Sequence, residues 1–242
     1  MDKSNTPFSK ALLPSLLILL IIWIVFYLDD HFKLRLYSFG LQPRKLIGLA
    51  GIFSMPLIHG DIFHILSNTF PLLILLTLLN YNYSEITLKV QSGIYLISGC
   101  LIWCFADLDE KTSQTSYHIG ASGIIYGLSG FLFFSGIIRK RKDLFAISLL
   151  VTFLYGTLIW GVFPENFQKA IHYISAKERI SWEGHLFGFL SGSLLAFLFK
   201  TKGKQEPVYS WEKNNDEDID ESNPYWLVDE NDNKDERSNQ NH

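Results

Sequence analysis

The sequence predicts an all-α membrane protein: a bundle of six transmembrane helices with an outer interfacial hairpin loop and a disordered acidic C-terminal tail. Two observations carry this. Six apolar segments, Ala11–Leu28, Ile62–Leu79, Val90–Ala106, Ile119–Ile138, Leu144–Phe163 and Trp182–Phe199, each run 17 to 20 residues. A helix needs roughly 20 residues to cross a hydrocarbon core of about 30 Å. Only the last segment contains a formally charged residue, Glu183. The second observation is that the basic clusters fall at alternate segment ends, as the positive-inside rule requires. A buried-core reading suits any one segment but not all six.

The first segment follows Lys3 and Lys10, as a signal peptide would, but it leads into FYLDDHF with no small-x-small cleavage pattern. It therefore reads as a retained signal-anchor helix. The stretch Asp29–Gly60 carries Lys33, Arg35, Arg44 and Lys45 and an amphipathic piece, FKLRLYSFGL. On the outer side, such a stretch reads as a membrane-interfacial hairpin. Cys100 and Cys104, four apart in the third segment, read as packing residues rather than a disulfide or metal pair.

The RKRK run at Arg139–Lys142 joins segments four and five, and Lys200, Lys202 and Lys204 follow segment six. With Lys3 and Lys10 these fall on one side, the cytoplasm, so both termini are expected inside and the acidic loop Asp107–His118 outside. The domain reading is residues 1–10 as a cytoplasmic N-terminus, 11–199 as the helical bundle and 200–242 as a cytoplasmic tail. From Gly203 to His242 twelve Asp and Glu oppose four Lys and Arg, a net −8 against +5 for the rest of the chain. That composition predicts disorder. Its apolar interruption NPYWLVDE (Asn223–Glu230) reads as a plain segment or as a docking motif for a cytoplasmic partner.

This topology places several polar residues in one shallow layer beneath the outer face. Ser122 falls in the first turn or two of the fourth helix, and His185 at the fourth position of the sixth. His64 and Asn68 open the second helix, with His59 just before it. Ionisable and amide groups inside a membrane are costly and read by default as functional. Taken singly, each also reads as an interhelical hydrogen-bond donor or a packing residue; their shared depth is what distinguishes the set. Gly184, Gly188 and Gly192 form a small-xxx-small stripe on the sixth helix, and Gly123 and Gly127 lie on the fourth. Such stripes serve packing in general, and here they would let a Ser and a His approach to hydrogen-bond distance.

The chemistry that fits is nucleophilic. His185 is the nearest base in depth and type for Ser122, and with no Asp evident as a third member a dyad is the economical arrangement. Glu183, two positions from His185, points elsewhere on the helix. His64 and Asn68, at i and i+4, present N–H groups from one helix face toward a developing oxyanion, joined by the Ser122 backbone N–H. Tyr126 lies one turn below Ser122, where its ring can pack on the imidazole. Pro71 frees the carbonyl of Ser67, which bends the helix or anchors a water.

Three motifs, HGDIFHILSN (His59–Asn68), GASGIIYG (Gly120–Gly127) and GHLFGFLSG (Gly184–Gly192), in this order and setting, resemble the rhomboid family of intramembrane serine proteases in its bacterial six-helix form, across roughly residues 11–199. The resemblance implies Ser122 as nucleophile and His185 as its base. It implies an oxyanion and substrate-binding set of His64, Asn68, Gly120 and the Ser122 amide, with Tyr126, Gly123, Gly188 and His59 in support. It further implies cleavage of transmembrane protein substrates near their outer ends, substrate entry past the fifth helix, no cofactor, no metal and no nucleic acid, with membrane lipid as the surroundings. A bacterial inner membrane is the expected location. Many members carry Trp-Arg about nine residues before the first histidine of the motif; here Ala50 and Gly51 stand there, which bears on the loop rather than on the dyad.

Three other readings compete. A rhomboid-like pseudoprotease would bind transmembrane clients without cleavage, but such relatives usually lose the serine or the histidine. A channel would need polar residues down to the other face, where segments four and five are instead rich in Leu, Ile, Phe and Gly. A metal site from His59, Asp61, His64 and His185 is disfavoured by spacing: five residues put the first two histidines about 140° apart on a helix, and no His-Glu-x-x-His occurs.

Overall fold

A computed structural model describes residues 7–106, 117–154 and 182–202. The termini (1–6 and 203–242, including NPYWLVDE), the loop 107–116 and residues 155–181, with the second half of the fifth apolar segment, lie outside the described residues. Among the described residues six long helices appear in order: α1 (Phe8–Phe32), α2 (Ile62–Asn82), α3 (Thr87–Phe105), α4 (Ser122–Ile138), α5 (Lys142–Leu154) and α6 (Trp182–Leu198). No strand occurs among the described residues, only an isolated antiparallel bridge between Leu41 and His118. Among the described residues three helices, α1, α2 and α3, are long and apolar enough to cross a membrane.

Helix α4 is the centre of the bundle. Eleven of its residues, from Gly123 to Gly136, are buried, and it packs most extensively against α6, then against α5, α2 and α3. The α4–α6 contact is backbone on backbone. A Cβ built on Gly192 would stand 1.8 Å from the Gly127 carbonyl oxygen, and one on Gly188 would stand 2.1 Å from that of Gly123. Ile94 of α3 closes over Gly127, and Leu195 of α6 closes over Gly93 of α3. With no water to expel between helices in lipid, this close van der Waals approach is the main attraction available.

The helix boundaries follow local chemistry. At 25 residues α1 spans ~37 Å and overruns the predicted Ala11–Leu28 at both ends. It stops where Lys33 takes a left-handed conformation, φ 52°. The fourth helix begins at Ser122 rather than the expected Ile119, because Gly120 sits at φ +105° and breaks helical geometry. Its 17 residues give ~25 Å, shorter than α1 and α2.

Buried polar groups of α1 and α2 satisfy one another. Asn80 Nδ2 donates to the Ala11 carbonyl at 3.0 Å and to Ser15 Oγ at 3.1 Å, and Thr77 Oγ1 donates to Ser15 Oγ at 3.2 Å. Trp23 Nε1 donates to Thr69 Oγ1 at 3.1 Å.

The loop between α1 and α2 is a series of short helical turns folded against α3. Ile52 fills the groove at Gly99, the Tyr95 hydroxyl donates to the Phe53 carbonyl, and Trp103 Nε1 donates to the Lys45 carbonyl at 2.9 Å. Arg44 donates from its guanidinium to the Ala106 carbonyl and from its backbone to the Trp103 carbonyl, both at 2.9 Å. The loop is thus anchored without Trp-Arg at positions 50 and 51. A side chain at 51 has no room: its Cβ would lie 2.3 Å from Leu41 Cα. Leu46 and Ile47, 82% and 77% exposed, form an apolar rim on this loop.

Replacing Gly192 with Ala is expected to destabilise the protein by about 1–3 kcal/mol through overpacking, although helix propensity alone favours Ala by ~1 kcal/mol. Gly60→Ala, whose Cβ would meet nothing nearer than Ile119 at 3.7 Å, is expected to change stability by less than ~0.5 kcal/mol. Thermal unfolding of both variants in detergent micelles checks the pair.

Candidate active site

Asp61 sets the start of α2. Its backbone is extended (φ −159°), and its carboxylate accepts the His64 N–H at 2.9 Å, satisfying one of the helix's open amides. This cap leaves His59 outside the helix, so the 140° separation expected for a continuous helix does not apply. The His59 and His64 rings instead meet edge to face, with centroids 4.9 Å apart. Asn68, one turn after His64, is buried, and its Nδ2 has no hydrogen-bond partner among the described residues.

The extended segment leading into α4 runs alongside these groups. Leu41 and His118 exchange two backbone hydrogen bonds, at 2.9 and 3.0 Å, and the Gly120 N–H donates to the Met55 carbonyl at 2.8 Å. Gly120 has two reasons to be glycine. Its φ of +105° disfavours any side chain, and a Cβ would lie 2.5 Å from His64 Nε2 and 3.8 Å from Asn68 Nδ2. Both side-chain nitrogens therefore flank the backbone two residues before Ser122. Ser122 is the first residue of α4 and partly buried, so its amide has no partner within its own helix.

The glycine contact brings α6 alongside. A Cβ on Gly123 would meet the Gly184 carbonyl oxygen at 3.3 Å, so residues next to Ser122 and His185 touch. His185 is buried and stacks on Tyr126, centroids 4.2 Å apart and planes 15° from parallel. Tyr126 lies four residues after Ser122, on the same helix face. The structure thus gathers His59, His64, Asn68 and Gly120 on one side, and Gly123, Tyr126, His185 and Gly188 on the other, around the start of α4. No three His, Cys, Asp or Glu side chains among the described residues group as a metal set.

A family model, the rhomboid domain, matches residues 48–202. This chain is a member of the rhomboid family. It is 32% identical over 179 residues to the uncharacterized protein Rv1337 of Mycobacterium tuberculosis, an alignment covering 74% of this chain and 70% of the relative. The Mycobacterium bovis counterpart matches with the same identity and coverage, and one from Mycobacterium leprae is 29% identical over 179 residues, 74% of this chain and 67% of the relative. The rhomboid match and the apolar helices make this a membrane protein.

Sequence reasoning underused two residues of this rhomboid's site. Asp61 entered only as a metal donor, although an Asp directly before an apolar run is an N-cap signal. His118 entered only as the end of an acidic loop, with no local pattern to mark it. Its burial comes from the bridge to Leu41, a partner 77 positions away.

Burial pushes the His118 imidazole down to about 4. Burial, and then the neighbouring His64, push His59 down to about 4. Between pH 6.5 and 4 the unfolded chain therefore binds protons that the folded protein does not. The sign is that stability is full above pH 6.5 and falls as pH drops through this window, by up to about 3 kcal/mol for each ring. Melting temperature measured from pH 8 to pH 4 should be level and then decline below 6.5. In a histidine NMR titration both rings should stay neutral to about pH 5, whereas titration of either near 6.5 contradicts the burial account.

Proposed function

We propose that this rhomboid is an intramembrane serine endopeptidase that cleaves transmembrane protein substrates near the outer membrane face, with six spans and both termini in the cytoplasm of a bacterial cell. The reading rests on one observation above others: the ring of His185 lies flat on Tyr126, one turn below Ser122 on the same face of α4. A neutral imidazole held there is suited to take the Ser122 Oγ proton as the oxygen attacks the scissile carbonyl carbon.

The carbonyl oxygen gains negative charge as its double bond opens. His64 Nε2 and Asn68 Nδ2 flank the same backbone, and with the Ser122 amide they supply donors for that charge. The unspent donor on Asn68 supports this role, since burying it without a partner costs stability unless it is used. Collapse of the intermediate breaks the C–N bond, and the protonated His185 returns its proton to the leaving amine. A water then repeats the sequence on the acyl-enzyme, with His185 as base, to free the carboxylate product. Every step uses groups of the chain and water. Stacking on Tyr126 restricts rotation of the imidazole, so less orientation is lost when the serine engages it.

Labelling of the purified, detergent-solubilised protein with a fluorophosphonate tests this without knowledge of the substrate. The parent should label, Ser122→Ala should not, and His185→Ala should label at least ~100-fold more slowly. A folded parent that stays unlabelled, or a Ser122→Ala variant that labels equally well, replaces this reading with a pseudoprotease that holds transmembrane clients uncut.

A further inference from the structure

At the end of the bundle away from Ser122, one side chain touches the termini of all three helices that carry the site. Arg139 caps the C-terminus of α4 and is 3% exposed. Its Nη2 donates to the Phe199 carbonyl at 2.5 Å and to the Lys202 carbonyl at 2.7 Å, and its Nε donates to the Lys202 carbonyl at 3.1 Å. These acceptors lie just past the end of α6, where the helix dipole is negative; the Phe199 carbonyl also accepts the Lys202 N–H at 2.9 Å. The guanidinium also lies over the ring of Tyr83, 5.0 Å from its centroid. Tyr83 caps α2 and packs edge-on against Phe131 of α4, centroids 5.2 Å apart.

The glycine seam between these ends does not by itself fix how far α6 sits along α4, although the rings of Phe134 with Phe189 and Phe197, and of Tyr126 with His185, favour the observed register. Gly184, Gly188 and Gly192 repeat every four residues and meet α4 backbone rather than interlocking side chains. A shift by one turn, ~5.4 Å, presents a similar glycine stripe to the same surface. A buried cation that fits one set of carbonyls does distinguish the registers, and setting register is the best-attested use of buried charge.

We propose that Arg139 is a positioning residue: by joining the ends of α2, α4 and α6 through one guanidinium, it sets the axial register of α6 against α4 and so the approach of His185 to Ser122. It acts ~21 Å along α6 from His185 and touches no reacting atom. The catalytic consequence rests on the dyad proposed above, but the register itself does not.

The test therefore has two readouts on the full-length protein, parent, Arg139→Met and Arg139→Lys. The first is the His185 resonance in histidine-labelled NMR, shifted by the Tyr126 ring and assigned through Tyr126→Leu; it needs no activity. The second is fluorophosphonate labelling per folded molecule, separated into the maximal rate and the probe concentration at half-maximum. In Arg139→Met the His185 resonance should lose its ring shift, and the maximal rate should fall about 10- to 100-fold with little change in half-saturation. Arg139→Lys, which keeps the charge but not the fork, should be intermediate in both, and it carries the test if Arg139→Met does not fold. A folded variant with an unmoved resonance and parental labelling rate makes Arg139 a stability residue only and overturns the proposal. If the parent itself does not label, the dyad fails while the resonance still decides the register.

Discussion

The contact that the rest of the bundle depends on is the glycine-lined meeting of α4 and α6. Between Gly127 and Gly192 the two backbones are so close that a single added methyl would overlap a carbonyl oxygen. Hydrophobic burial offers little to hold two helices together inside lipid, so the dispersion gained by this approach is what seats α4 in the centre. Once α4 is central, α2, α3 and α5 must cover its remaining faces. The stacking of His185 on Tyr126 follows from the same approach, because both rings project from the flank of the glycine seam.

Enclosing polar groups in such a bundle raises a separate problem, and the protein solves it differently at each level. Between α1 and α2, Ser15, Thr77, Asn80 and a main-chain carbonyl hydrogen-bond among themselves. At the far end Arg139 donates to the Phe199 and Lys202 carbonyls just past the end of α6. At the serine end, satisfaction is incomplete: both His59 ring nitrogens and Asn68 Nδ2 are buried without hydrogen-bond partners among the described residues. Unsatisfied polar groups cost stability, and among the described residues Tyr83 Oη, Ser135 Oγ and Arg139 Nη1 at the far end are buried in the same way, so it is the histidine and amide chemistry near Ser122, rather than lack of partners alone, that marks a candidate site.

Much of this was readable from the sequence. Apolar blocks of spanning length located the described helices, since a bilayer imposes length on sequence directly. The expectation that Ser122, His185, His64 and Asn68 share one depth came from counting residues into each block. What the blocks did not reveal were features set by long-range contact. The start of α4 moved to Ser122 because Gly120 must pass His64 at a positive φ. His59 came to lie against His64 because Asp61 capped the helix between them. The first loop proved to be anchored by Arg44 and Trp103, a pairing that no local pattern announces. Arg139 read as one cation in a basic run, and only its burial sets it apart from Lys140 and Lys142.

The measurement that bears most directly on the central claim is an experimental structure of the protein after reaction with a phosphonate. The account predicts phosphorus bonded to Ser122 Oγ, with a phosphonyl oxygen about 2.7–3.1 Å from the Ser122 amide and from the His64 and Asn68 nitrogens. It also predicts α4 and α6 still in backbone contact at Gly127 and Gly192. An adduct on another residue, a phosphonyl oxygen turned away from those donors, or helices separated by intervening side chains would contradict it.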